Sequence, residues 1–441
     1  MSIQGIPLEM DFSENKVKTN VNLAPQLKKY LADRTSYVAG DDVQISIPTG
    51  RASTSILFPT DSFLNQTNSI TLGATAGVAT IDGNALSIYE RLQVQQGGTL
   101  EDTKYLNRLM HVLNDVSRDY TDRQNDSINL LAQSVPVVGT NASLGCYFAG
   151  LNGKSYTQGA TYTDNVSMVV PSGILGSFAM KALPLGEAWA QELKLILTIA
   201  PMNSIFATYS GAPDITDFTI SNVAYFAKET ILPRNIYAEV MRLNTLILPS
   251  YQWITDQKTV GASVTSINES FAMQYASVNS VLFWFQNQAA NNALAYRSIT
   301  SRPHHGVQQW NLLLNGMNYP SHYIEGKGMN LMSLAQAFDA LSSTRGLGIL
   351  DGNTYLGNDS SLVAEDLNTS NSVHRRSVYA LSLSRTNASS EFSYDGLDLR
   401  GGTFAINIPT KTAVAQAAVL YVACLIDVQY VFDSGTITVL R

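Results

Sequence analysis

One helical pattern occurs twice in this chain of 441 residues, each time among stretches whose apolar residues alternate with a period of two. Tyr105, Leu106, Leu109, Val112, Leu113 and Val116 recur at spacings of three and four, which puts them on one face of a helix over 100–116. Leu331, Leu334, Ala335, Phe338 and Leu341 do the same over 329–341. The two patterns lie about 225 residues apart, half the chain, a period that indicates duplication of a whole domain rather than a solenoid. In each half the order is strands, one amphipathic helix, a long polar loop (117–165 and 343–374), then strands. The βαβα rhythm of a parallel α/β sheet is absent.

The strand patterns are local and specific. Asp42-Val43-Gln44-Ile45-Ser46-Ile47 alternates strictly, as a half-buried strand does. Ser69–Leu72, Ser87–Val94, Leu193–Ile199, Phe218–Ile231, Val278–Gln286, Gln308–Asn315, Ser377–Leu383, Thr403–Ile408, Val419–Phe432 and Thr436–Leu440 are further strand candidates. Pro25–Leu31 has a short helical pattern. Pro233 opens another helix, with Ile236, Val240, Leu243 and Leu246 at helical spacing. Thr99 caps the 100–116 helix, and Glu101 and Asp102 offset its dipole. Asn315-Gly316 marks a tight turn, where valine in place of Gly316 would impair folding if φ is positive. Many short strands with turn signals indicate an all-β chain with a few short helices, each half a sandwich or barrel; a jelly roll, eight strands in two packed sheets, is one such form. The expected division is an N-terminal arm over 1–40, a first roll over 41–235, a helical linker over 236–255 and a second roll over 256–441.

Composition narrows the function. Charged residues make up 14% of the chain, against about a quarter in ordinary soluble proteins. Charge is depleted where surfaces are buried by partners, although a β-rich monomer with polar turns accounts for it too. The net charge of −7 argues against coating phosphate or reading a nucleic-acid sequence directly. His374-Arg375-Arg376 and Lys28-Lys29 are the dense basic spots, and both read as solvated loop charge. Cys424 sits in an apolar run as a small hydrophobe, far from Cys146. No secretory signal pattern opens the chain, and no apolar run reaches the roughly 18 residues of a membrane span. Triplets such as Asn141-Ala142-Ser143 and Asn387-Ala388-Ser389 are chance matches on that reading.

Three ordered segments resemble the double jelly-roll major capsid proteins of the lineage that includes tectivirus, polinton-like virus, virophage and adenovirus coats. The first is Asn68–Leu72, then Ser87–Leu92, Gly97-Gly98, Leu100-Glu101-Asp102 and Tyr105-Leu106-Asn107. The second is Trp310 to Pro320, through Asn315-Gly316 and Tyr319-Pro320. The third is Tyr394 to Gly402. The resemblance runs in order from residue 42 to the C-terminus. It implies two tandem eight-stranded jelly-roll β-sandwiches, and a homotrimer forming a pseudo-hexagonal capsomer and packing with neighbouring capsomers, penton and minor capsid proteins. Together they would make an icosahedral shell around a DNA genome, with an internal membrane as an option.

The sequence carries no motif for chemistry. His304-His305 is the one histidine pair, and adjacent residues in an extended chain point apart. There is no phosphate loop, no His-Glu-x-x-His and no Gly-x-Ser-x-Gly. Asp395 and Asp398 flank Gly396 without EF-hand spacing. No cofactor, metal or catalytic residue is therefore expected. Packing residues are: Tyr105, Leu109 and Leu113 should seat the first helix on its roll, and Leu334, Phe338 and Leu341 the second, with Asn315 and Gly316 shaping the turn. Two other readings stand beside the coat protein. A receptor- or carbohydrate-binding sandwich would need a surface cluster of aromatics, and a cupin-like hydrolase would need a His/carboxylate metal set.

Overall fold

The computed structural model describes residues 25–441 except 50–53, 76–77, 118–155, 158, 187–191, 210–214, 241–244, 289–298, 300–301, 327–331, 341–376, 385–395, 412, 415–416 and 434–435. Eight strands of the first half build one roll: β1 (Pro25–Leu31), β2 (Asp42–Ile47), β3 (Ser55–Leu72), β4 (Tyr89–Gln96), β5 (Gly98–Thr103), β6 (Thr161–Met168), β7 (Leu193–Ile199) and β8 (Ile215–Ile231). Eight strands of the second half build another: β9 (Thr245–Val260), β10 (Ile267–Phe271), β11 (Val278–Asn287), β12 (Val307–Leu314), β13 (Met317–Glu325), β14 (Tyr379–Ser382), β15 (Phe404–Lys411) and β16 (Ala418–Asp433).

Both halves obey one pairing rule. In the first roll β1 pairs with β8, β2 with β7, β3 with β6 and β4 with β5, all antiparallel. That is one long folded hairpin. Rolling it adds β8–β3 and β7–β4, which closes two sheets of order β1-β8-β3-β6 and β2-β7-β4-β5. The second roll repeats this with β9–β16, β10–β15, β11–β14 and β12–β13, then β16–β11 and β15–β12. Two packed sheets wound this way are a jelly roll, and the chain contains two in tandem. Helix α1 (Leu106–Ser117) follows β5, and α3 (Met332–Ala340) follows β13, so each roll carries its helix at the same point of its winding. A short helix α2 (Arg234–Val240) joins the rolls.

The alternation expected of a half-buried strand appears in β2, where Val43, Ile45 and Ile47 are buried and their neighbours are exposed. Inside the second roll, Phe283, Trp310 and Tyr379 pack with ring centroids 4.8–5.9 Å apart. Helix α3 is tied to this core by Trp310 Nε1, which donates to Ser333 Oγ at 3.0 Å, and by Ser280 Oγ, which donates to the Ala340 carbonyl at 2.6 Å.

Three local expectations are corrected. Pro25–Leu31 is strand β1, not a helical turn of a loose arm. Its inward side chains Lys28 (Nζ–Oε2, 2.6 Å) and Tyr30 reach the buried carboxylate of Glu229, which also accepts from Ser55 Oγ at 2.7 Å. A buried carboxylate needs such partners, and they hold β1 on β8. Residues 245–255, read within a helical linker, belong to β9; Leu246 is a strand residue, and the linker helix ends at Val240. The first amphipathic helix begins at Leu106, not Leu100. Gly97 at φ +68° reverses the chain, so Leu100, Glu101 and Asp102 run back along β4 as strand β5. Asp102 therefore offsets no helix dipole. It takes two hydrogen bonds from Arg91, at 2.7 and 2.8 Å, across the hairpin.

Candidate functional site: the seam between the rolls

The end of β5 and the start of α1 lie against the outer face of the second roll's β9-β16-β11 sheet. Antiparallel register decides which residues look outward. Trp284 on β11 stands opposite Tyr421 on β16, and the two rings stack at 5.6 Å with planes 11° apart. Tyr105 of the first roll meets Tyr421 edge-on at 5.3 Å, and the Arg108 guanidinium lies over the same ring at 5.3 Å. Arg108 Nε donates to Gln286 Oε1 at 2.8 Å. Thr103 Oγ1 donates to the Trp253 carbonyl at 3.0 Å, and Thr255 Oγ1 donates to the Lys104 carbonyl. Trp284 and Tyr421 are each 1% exposed, so the cover is complete.

Two further contacts close the seam. The Ile299 amide donates to Asp82 Oδ2 at 2.6 Å, and Arg302 Nη1 lies 2.6 Å from His111 Nδ1. On the other flank Gly173 packs so closely that a Cβ there would lie 2.5 Å from the Tyr251 carbonyl and 2.7 Å from Ser250 Oγ. Only glycine fits this approach. The strand Thr436–Leu440 pairs with β16 and delivers Arg441, whose Nη2 donates to the Leu100 carbonyl at 2.7 Å.

Beside that contact lies Glu101, fully buried on β5. It accepts from Ser172 Oγ at 2.5 Å and from the Gly173 amide at 3.1 Å. Burial lifts its carboxyl from the ordinary 4.5 to about 7, against the hydrogen bonds of Ser172 and Gly173 and the attraction of Arg441. Cys424 is buried and free, and burial pushes its thiol well above its usual range.

The residues singled out from the sequence fall as follows. Leu109 and Leu113 are buried on α1, in the main hydrophobic core that runs through both rolls. Tyr105 precedes α1 at φ +50° and meets Tyr421 of the second roll edge-on. Leu334 and Phe338 lie on α3. Leu341 lies outside the described residues, as do Leu331, Leu243, Cys146, Asn141, Asn387, Asp395 and the segment His374-Arg375-Arg376. Asn315 and Gly316 have φ of +55° and +78° between paired Leu314 and Met317, a two-residue turn of the kind that needs two left-handed residues. Asn315 also accepts from the Thr403 amide at 3.1 Å through Oδ1. Helical spacing did not signal Arg108, Gln286, Glu101, Ser172 or Arg441, because their partners lie far along the chain: 71 residues apart for Glu101 and Ser172, 178 for Arg108 and Gln286, and 341 for Arg441 and Leu100.

Trp253, Trp284 and Trp310 are all buried, so they supply no aromatic surface of the kind a glycan-binding sandwich would present. Among the described residues no three His, Cys, Asp or Glu side chains converge as a metal site would require, and no helix is long and apolar enough to cross a membrane.

No protein-family model and no curated protein sequence matches the chain. Its fold, however, is that of solved structures over nearly its whole length. VP54 of PBCV-1, as fitted into a cryo-EM reconstruction of the virophage Sputnik, is 14% identical, with 98% of this chain and 99% of that chain covered and a TM-score of 0.61. The Sputnik virophage structure by cryo-EM is 12% identical, with 100% and 93% covered and a TM-score of 0.58. The mavirus major capsid protein is 10% identical, with 100% and 96% covered and a TM-score of 0.53. At these identities the likeness is one of fold, and it spans both rolls and the seam together.

Proposed function

We propose that this chain is a major capsid protein, a structural subunit without enzymatic activity, which trimerises into pseudo-hexagonal capsomers that tile an icosahedral virion shell around a DNA genome. The observation that carries the proposal is the fused pair of identically wound rolls. Two rolls joined by a buried seam make one rigid third of a six-part tile, and three copies about a threefold axis complete it. The match over nearly the full length of the mavirus major capsid protein supports this reading, as does the low share of charged residues. Its partners would be neighbouring capsomers, with penton and minor capsid proteins at special positions, and its location the virion. The acidic chain would meet the genome without sequence-specific contacts.

Electron microscopy of the purified protein tests this at low resolution. Pseudo-hexagonal trimers are expected. A protein that stays monomeric at every concentration in sedimentation would sink the proposal.

A further inference from the structure

The strand Thr436–Leu440 lies at the edge of the second roll's sheet, and among the described residues it pairs only with β16. Its side chains alternate. Ile437 and Val439 are half-buried against the core, and Thr438 and Leu440 are exposed. From its end Arg441 crosses to the first roll, where Nη2 donates to the Leu100 carbonyl. The strand is therefore a strap over the seam, and an edge held by so few buried groups opens more readily than the core.

Beside that tie the charges are poorly matched. Glu101, the residue after Leu100, is fully buried, and among the described residues its hydrogen bonds come from neutral donors, Ser172 Oγ and the Gly173 amide. Arg441 attracts it, but the guanidinium bonds the Leu100 carbonyl, and its Nε–H is buried without an acceptor. Tyr430 of β16 is the other titratable group acting on this carboxylate, and its hydroxyl is likewise buried without a partner. The segment from Ser172 to Leu175 brings a hydroxyl and backbone amides only. Tyr275 faces Arg441 rather than Glu101.

A buried carboxylate with no cation in contact favours its protonated form. Burial places the crossover near neutral pH, with the carboxyl lifted to about 7 in spite of Arg441. Lifting Arg441 from the Leu100 carbonyl admits water to the adjacent residue and relieves the cost of ionising it.

We propose that the Thr436–Leu440 strand is a proton-gated strap between the rolls, closed while Glu101 is protonated and released when Glu101 loses its proton. The sign follows from linkage. Glu101 holds its proton more tightly under the closed strap than in the hydrated, open form. Closure is therefore strongest below the ordinary carboxyl range and weakens as pH rises through about 7. The device belongs to the single chain and is independent of the capsomer reading.

Hydrogen exchange of the full chain, read by mass spectrometry at about pH 6 and about pH 8.5 and corrected for the intrinsic pH dependence of exchange, tests it. Amides of 436–440 and 172–176 should lose protection about tenfold at the higher pH, while those of Val281–Phe285 on β11 keep theirs. Glu101→Gln should hold the strap's protection equal at both values. Arg441→Met should lower it at both. Circular dichroism checks that the variants fold, and the comparison within the unchanged chain needs no variant. Protection that is flat with pH would overturn the inference, as would a slope that persists in Glu101→Gln. So would a loss shared equally by β11, which would be a property of the whole fold and not of the strap, or strap protection left intact by Arg441→Met.

Discussion

The outer face of the β1-β8-β3 sheet and that of the β9-β16-β11 sheet are the same surface of one fold, yet they live in different surroundings. Each presents a stacked cross-strand aromatic pair at matching positions. In the second roll the pair is Trp284 and Tyr421, sealed by Tyr105 and Arg108. In the first it is Phe63 and Phe226, both only partly buried, with Lys29 Nζ 5.7 Å from the Phe226 ring centroid. The strand winding dictates that an aromatic pair can form there. What lies against the face decides how much that pair contributes to stability, because the hydrophobic gain follows the area removed from water.

The sharpest way to break this comparison is to truncate one ring on each face. Trp284→Ala should cost about 3–5 kcal/mol, the usual loss for a large buried aromatic. Phe226→Ala should cost less, about 1–2 kcal/mol in the monomer, since that ring is only partly buried. Equal losses in urea denaturation would mean that the seam is open in solution and that the two faces do not differ.

Glu101 offers the next largest effect, and it belongs to the covered side alone. Its carboxyl titrates at about 7 in the fold and at 4.5 as an ordinary glutamate. Between those pH values the folded chain keeps a proton that the unfolded chain has released, so stability falls as pH rises through the window. The loss should approach about 3 kcal/mol by pH 8 and be absent below pH 4.5. Glu101→Gln keeps the neutral shape and should flatten that slope. Parallel pH slopes for the variant and the unchanged protein would show that Glu101 is hydrated and the seam loose.

How much of this was readable beforehand follows the range of the interactions. The period-two run of β2 and the helical spacing of Leu106, Leu109, Val112 and Leu113 are local, and they appear in the structure as read. So does the Asn315-Gly316 turn, which is fixed by two adjacent φ angles. The duplication was visible because the same local order occurs twice. Strand β1 was not, since Pro25–Leu31 is strand only by virtue of β8, some two hundred residues on, and the Glu229 carboxylate that anchors it. Glu101 was misread for a related reason. An acid near a helix start fits the dipole rule, and only the reversal at Gly97 shows that the helix has not yet begun. The seam was illegible altogether: Tyr105 looks like one more apolar helix position until Tyr421 is placed beside it.

A smaller and more local probe of the covered face is the Arg108–Gln286 contact, a hydrogen bond from a charged donor between the rolls. A double-mutant cycle with Arg108→Met and Gln286→Leu should give a coupling of about 1.5–3 kcal/mol, in the range of charge-assisted bonds. A coupling near zero would place the polar part of the seam in water and leave only its aromatic part to hold the rolls together.

The smallest effect lies on the uncovered face, where Lys228 pairs with Asp61, both side chains more than two-fifths exposed. Exposed pairs of this kind contribute about 0–1 kcal/mol, because water and salt screen them. Asp61→Asn should therefore change the stability of the isolated chain by less than about 0.5 kcal/mol. The informative measurement is the same substitution in the assembled protein. If a second copy covers this face, Lys228 loses its water while its partner has been made neutral, and a cation buried without its counter-charge weakens the contact. Asp61→Asn should then leave the monomer's melting unchanged and lower the concentration range over which oligomers persist. Equal effects on monomer and assembly would mean that the face stays wet in both, and the difference between the two outer faces would then persist in the finished particle.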